Sequence, residues 1–150
     1  MELVHEFTFT AELKATVAVG PGPFGDRSIF EVVRGEVTGE RIRGTMGTGG
    51  ADWILACNDG FGRLDVRATL LTDDGASIYV QYLGVIEYTD AALAAVAGER
   101  SSDYGDHYFR TTPRLETGDE RYAWVNQTVF VADGRVHPGP VVEYRVHRVT

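Results

Sequence analysis

The stretch RLDVRATLLTDDGASIYVQYLGV, residues 63–85, decides the fold. Two alternating runs flank Asp73-Asp74-Gly75, a three-residue loop suited to a type I turn followed by a left-handed glycine. That loop sets Thr72 opposite Ala76. With a side-chain period of two, Arg67 then faces Gln81, Thr69 faces Tyr79 and Asp65 faces Leu83. One face of the hairpin carries Leu64, Val66, Ala68, Leu70, Ile78, Val80 and Tyr82. The other carries Arg63, Asp65, Arg67, Thr69, Ser77, Tyr79 and Gln81. Most half-buried antiparallel pairs turn the apolar face to the core and leave the polar face wet. In a barrel the alternative is that Asp65, Arg67, Tyr79 and Gln81 point into the lumen. An apolar outer face would then need cover from a second subunit or a helix, because large exposed apolar patches are rare on monomers.

The same period extends outward along the chain. Apolar residues alternate or cluster over 2–10, 12–19, 28–38, 41–46, 51–57, 62–72, 76–88, 106–112, 122–132 and 140–149, about ten predicted strands. Gly20-Pro21-Gly22-Pro23, Thr48-Gly49-Gly50, Asn58-Asp59-Gly60, Asp133-Gly134 and Pro138-Gly139-Pro140 read as the turns between them. One segment breaks the pattern. Thr89 or Asp90 can cap an alanine-rich run ended by Gly98, which predicts one short helix. With the polar residues that follow, 89–106 is a long insertion, either a lid over a barrel mouth or a plain crossover. No repeat or linker divides the chain, so residues 1–150 read as one all-β domain. A closed antiparallel barrel of about 8–10 strands is favoured over a sandwich, since evenly spaced strands leave few natural edges.

Composition narrows the function. The chain has 14 basic and 22 acidic side chains, a net charge of −8, and no basic stripe. It should repel phosphate backbones and anionic membrane surfaces, so neither nucleic acid nor membrane is an expected partner. No apolar run approaches the ~20 residues of a bilayer span, and Met1 to Thr10 lacks the pattern of a secretory signal, so a cytoplasmic location is expected. The single cysteine, Cys57, excludes an internal disulfide and reads as a structural thiol. His5, His107, His137 and His147 lie in separate segments without metal-ligand spacing, and no phosphate loop, dinucleotide fingerprint or serine elbow is present. No metal and no cofactor is expected.

Several short motifs stand out along the chain: Gly35-Glu36-Val37-Thr38-Gly39, Gly49-Gly50-Ala51-Asp52-Trp53, Asp59-Gly60, Leu64-Asp65-Val66-Arg67, Thr72 to Ala76, Ile78-Tyr79-Val80, Tyr108-Phe109-Arg110-Thr111 and Tyr122 to Asn126. Together they resemble the bacterial and fungal proteins grouped under domain of unknown function 3237. The resemblance covers nearly the whole chain. It implies a small lipocalin-like β-barrel, often met as a homodimer, and it favours the polar hairpin face as the lumen. It supplies no agreed active site. Gln127 stands where the family pattern suggests a basic residue, and Cys57-Asn58 where an arginine often precedes Asp-Gly.

A barrel could gather the motif residues into one pocket for a small-molecule ligand or substrate. Asp52 and Asp65 are the acid-base candidates and Arg67 the stabiliser of a developing enolate or carboxylate. Trp53, Tyr79, Gln81, Tyr108, Arg110, Trp124 and Asn126 are the substrate-binding candidates. Each has a plainer alternative: a turn residue for Asp52, a surface ion pair for Asp65 with Arg67, a solvated strand residue for Arg110, and core packing or internal hydrogen bonds for the aromatics and Asn126. Three readings follow. One is a cofactor-independent isomerase, cyclase or lyase/hydratase acting on a partly apolar carbonyl or polyketide-like compound. The second is a non-catalytic barrel that binds an apolar molecule. The third is a dimer interface or scaffold role for the apolar hairpin face, with a filled barrel and no cavity.

Overall fold

The hairpin forms with the register its turn demands. In the computed structural model, which describes residues 1–150, β7 (Phe61–Thr72) and β8 (Ser77–Glu87) pair Asp65 with Leu83, Arg67 with Gln81 and Thr69 with Tyr79. Thr72 and Gly75 close the loop, the Gly75 amide donating to the Thr72 carbonyl at 3.0 Å with Gly75 at φ +93°.

Around this hairpin the chain builds β1 (Leu3–Gly22), β2 (Gly25–Arg34), β3 (Glu36–Gly39), β4 (Arg43–Met46), β5 (Ala51–Asp52) and β6 (Leu55–Ala56) before it. After it come α1 (Asp90–Val96), β9 (Phe109–Thr111), β10 (Arg114–Glu116), a 3₁₀ helix (Glu120–Gln127), β11 (Phe130–His137) and β12 (Val141–Val149). Pairing runs antiparallel through β8, β9, β11, β12, β1, β3, β4 and β7 and returns to β8. The fold is therefore an all-β barrel with one short α-helix. Its wall is uneven rather than strictly closed: β9 holds β8 by three residue pairs and β11 by two. β2 continues the line of β3 alongside β1 and is tied to β7 through β5 and β6.

Several boundaries differ from the sequence expectation. Predicted strands 2–10 and 12–19 are one strand, because Ala11 is buried and paired with Val142. Segment 28–38 breaks at Gly35, where a Cβ would lie 1.9 Å from the Thr10 carbonyl oxygen. Segment 51–57 makes only the two-residue pairings of β5 and β6. Segment 122–132 is mostly the 3₁₀ helix, opened by Asp119, whose carboxylate accepts from the Arg121 amide. Asp133-Gly134 is no turn but the middle of β11. A Cβ on Gly134 would sit 2.6 Å from the Phe109 ring, so the glycine lets the aromatic lie on the backbone.

The hairpin turns its apolar face inward, opposite to the polar lumen that the family resemblance favours. Leu64, Val66, Ala68, Leu70, Ile78, Val80 and Tyr82 are all buried inside the barrel, while Arg63, Arg67 and Ser77 are exposed. Asp65, Tyr79 and Gln81 lie half-buried on the same outer face. Solvating the charged row and burying seven apolar side chains is the cheaper arrangement.

Packing is densest towards the Asp73–Gly75 turn. There Leu70, Ile78, Phe130, Val125 and Val146 are fully buried, and the 3₁₀ helix closes the end. Tyr122 donates its hydroxyl to the Asp74 carboxylate at 2.9 Å. Glu6, 6% exposed, accepts both arms of the Arg41 guanidinium at 2.7 Å, with Arg148 at 3.1 Å. No helix is long and apolar enough to cross a membrane.

Candidate functional site

The opposite end of the barrel is hollow. A cavity of about 250 Å³ is bounded by nineteen residues, fifteen of them hydrophobic. Most come from the β1–β2 hairpin, the β5–β6 segment, the first half of β7, the second half of β8, and β11 and β12, with Phe109 from β9. Val96 of α1 reaches the same cavity. The helix starts at Thr89, whose hydroxyl accepts from the Ala92 amide, and Ala92 and Ala95 are buried beneath it. The following loop is fastened to β11 and β12 by Ser101–His137, Ser102–Val136, Asp103–Arg135 and Tyr104–Glu143 hydrogen bonds. The 89–106 insertion thus touches the cavity through Val96 alone.

Asp52 is the buried carboxylate in this apolar space, 6% exposed. The two-residue β5 places it: Asp52 pairs with Phe30 on one side and with inward-facing Val66 on the other. Its Oδ1 accepts the Asp65 amide at 3.1 Å. Burial pushes its carboxyl up to about 7. The Asp65 amide hydrogen bond and the Arg27 charge pull it down, whereas the Asp65 charge adds to the rise. Near neutral pH such a group can either give or take a proton.

Three phenols share the cavity. Tyr82 and Tyr144 have ring centroids 5.5 Å apart, and Tyr88 stands nearer the surface. Burial holds all three above the ordinary tyrosine range, and the Asp52 charge raises each further. They remain protonated donors. Phe9 stacks on Tyr144 at 4.9 Å and Phe109 meets its edge at 5.1 Å, so Tyr144 is fixed in place. Asp26 and Ser28 of β2 also border the cavity. No group of three or more His, Cys, Asp or Glu side chains forms a metal-binding cluster.

The other sequence candidates are scattered. Asp65, Arg67, Tyr79 and Gln81 lie on the outer face of the hairpin, with Arg67 Cζ 5.8 Å from the Trp53 ring centroid. Trp53 does not border the cavity, and its carbonyl accepts from Arg27 at 2.6 Å. Trp124 lies at the filled end under the Arg41 guanidinium, 3.6 Å from Cζ to ring centroid. Asn126 clamps Thr117 with two hydrogen bonds of 2.9 Å. Tyr108 and Arg110 point outward from β9. Of the candidate residues, only Asp52 reaches the lumen. Tyr82 and Tyr144 were missed, although the hairpin register already put Tyr82 on the apolar face; assigning the lumen to the polar face hid it.

Comparison with known proteins agrees with this architecture. The family model described as "Protein of unknown function (DUF3237)" matches residues 1–149. The UPF0311 protein RPA1785 of Rhodopseudomonas palustris is 34% identical over 149 residues, 99% of this chain and 97% of its own length. Its crystal structure, a conserved protein of unknown function, superposes with a TM-score of 0.86. A β-barrel-like protein of Acinetobacter baumannii, ABAYE2633, is 29% identical, covers 99% of this chain and 96% of its own, and has a TM-score of 0.82. An enzyme from Penicillium herquei shares the fold at 18% identity, with a TM-score of 0.63 over 97% of this chain and 96% of its own.

Proposed function

The chain belongs to the DUF3237 family, and we propose that it is a cofactor-independent enzyme performing acid-base chemistry on a small, partly apolar carbonyl compound in the barrel lumen. The observation that carries this reading is Asp52, a carboxyl buried among apolar groups, titrating near 7 and bordering a cavity large enough for a small molecule. As its anion, Asp52 takes a proton from the carbon next to the carbonyl. The electron pair left on carbon moves to the carbonyl oxygen. Hydrogen bonds from the Tyr82 and Tyr144 hydroxyls stabilise that enolate. Protonated Asp52 then returns the proton to another carbon, giving isomerisation, or to a leaving group, giving elimination. The structurally similar Penicillium herquei protein is an enzyme, which supports catalysis as something this barrel can host. The same reading takes the protein as a cytoplasmic homodimer.

Exchange of carbon-bound hydrogen tests the proposal without knowledge of the final product. In deuterated buffer the protein should accelerate deuterium incorporation next to the carbonyl of cyclic and aryl ketones, followed by proton NMR. Asp52→Asn should lower that rate by about 10²–10⁴ while the fold is kept. Equal rates in the variant, or no acceleration with any ketone that binds, would overturn it. A non-catalytic barrel is the second reading, favoured by the predominance of hydrophobic lining residues. It predicts binding without exchange.

A further inference from the structure

Tyr108-Phe109-Arg110-Thr111 splits across the wall. Phe109 and Thr111 are buried inward, while Tyr108 and Arg110 turn outward. Their outer side is a furrow of about 830 Å³, within the size range of ligand pockets. β9 forms its floor, Leu83 and Val85 of β8 one bank, and Val131 and Asp133 of β11 the other. β8 and β9 approach closely here, since a Cβ on Gly84 would meet the Thr111 side chain at 2.6 Å. The furrow is separate from the lumen, with Leu64 in the wall between them bordering both.

Its charges do not cancel. Arg63 is held by both oxygens of Asp59 at 2.8 and 2.6 Å, and Asp133 is paired with Arg145. His147 lies 4.0 Å from Asp133, and burial holds its ring below the ordinary histidine range, so it is neutral at pH 7. Arg110 makes no salt bridge: Asp133, opposite it across β9 and β11, feels its charge but is held by Arg145. One Nη1 hydrogen bond of 2.9 Å to the Phe109 carbonyl uses a single N–H of a five-donor fork. Beside this guanidinium the surface is apolar: Leu3, Leu83 and Tyr108 are 60%, 59% and 51% exposed. On a chain of net charge −8, a guanidinium left unpaired beside exposed leucines matches an anion with a hydrocarbon body. Asp133 on the facing bank disfavours a dianion.

We propose that this furrow binds a small amphipathic monocarboxylate, its carboxylate forked by Arg110 and its apolar body lying along Leu83, Val85 and Val131. The site is independent of the lumen chemistry, so either can fail without the other.

Octanoate is the probe and octanamide its uncharged counterpart, each titrated into the whole protein by calorimetry and amide NMR. Octanoate should shift the amides of Leu83, Arg110 and Val131. Octanamide, and octanoate with Arg110→Ala, should bind at least about tenfold more weakly, with Arg110→Lys between because it keeps charge but loses the fork. Arg110 is exposed, so these variants keep the fold. Absence of octanoate binding, equal affinity for the two probes, or insensitivity to Arg110→Ala overturns the proposal. So does octanoate moving the Tyr82 and Tyr144 amides instead. Concentration-dependent shifts of the furrow amides without any ligand would assign the surface to a second copy of the chain and overturn it as well.

Discussion

At Asp52, stability and chemistry pull in opposite directions. The folded protein holds this proton up to about pH 7, whereas the unfolded chain releases it near 3.8. Between those values the native state binds more protons than the unfolded one, so stability falls as pH rises, and above 7 the full cost of the buried charge is present. That cost is about 4 kcal/mol, from roughly three pH units at 1.36 kcal/mol each. Asp52→Asn keeps an oxygen to accept the Asp65 amide and never ionises. Its stability advantage over the native protein should be near zero below pH 4, grow up to pH 7 and then level off. Urea unfolding across that range measures it. A base at this position also makes the exchange rate rise through about pH 7 and then flatten. Glu6 is the contrasting buried acid, fully paired at the filled end. Arg41→Ala leaves it facing only Arg148 and uncovers Trp124, so a loss of about 3 kcal/mol is expected. Glu6→Gln should cost less, because both arginines reach water.

Among the elements, β11 shows why local signals and tertiary packing disagree. Asp-Gly is a strong turn signal, yet Gly134 pairs with Tyr144 in mid-strand because the Phe109 ring occupies the space of its side chain. Gly134→Ala should therefore destabilise by about 1–3 kcal/mol through displacement of Phe109, and thermal unfolding checks this. Phe109→Leu in the same background should recover part of the loss. The β7–β8 hairpin was legible, because its register follows from three loop residues and a strict period of two. The 3₁₀ helix was not. Tyr122, Trp124 and Val125 look like strand residues, and what makes them helical is the Asp119 cap with the Tyr122–Asp74 and Asn126–Thr117 contacts, partners nine to 48 positions away.

For the molecule as a whole, the decisive fact is that one barrel is filled at one end and hollow at the other. Asp52 was recognisable as a candidate because a carboxylate follows Gly49-Gly50 in a motif, but its companions were not. Polar motif residues carry the chemical signal in the sequence, whereas a lumen built by burying apolar faces is lined by Val66, Ile86 and the rings of Tyr82 and Tyr144. A void of this size forfeits packing contacts and persists at some cost to stability. If the hollow end exists for a ligand, filling it should separate stability from function. Val66 is 2% exposed, paired with Asp52 across β5 and β7, and borders the cavity. Val66→Phe places a ring in that space without touching the outer furrow. The melting temperature should hold or rise, ketone exchange should disappear, and octanoate binding at Arg110 should stay as in the native protein. A variant that keeps its exchange activity would mean that the chemistry lies outside the lumen. A variant that loses several degrees would mean that the cavity walls have no room to receive the ring.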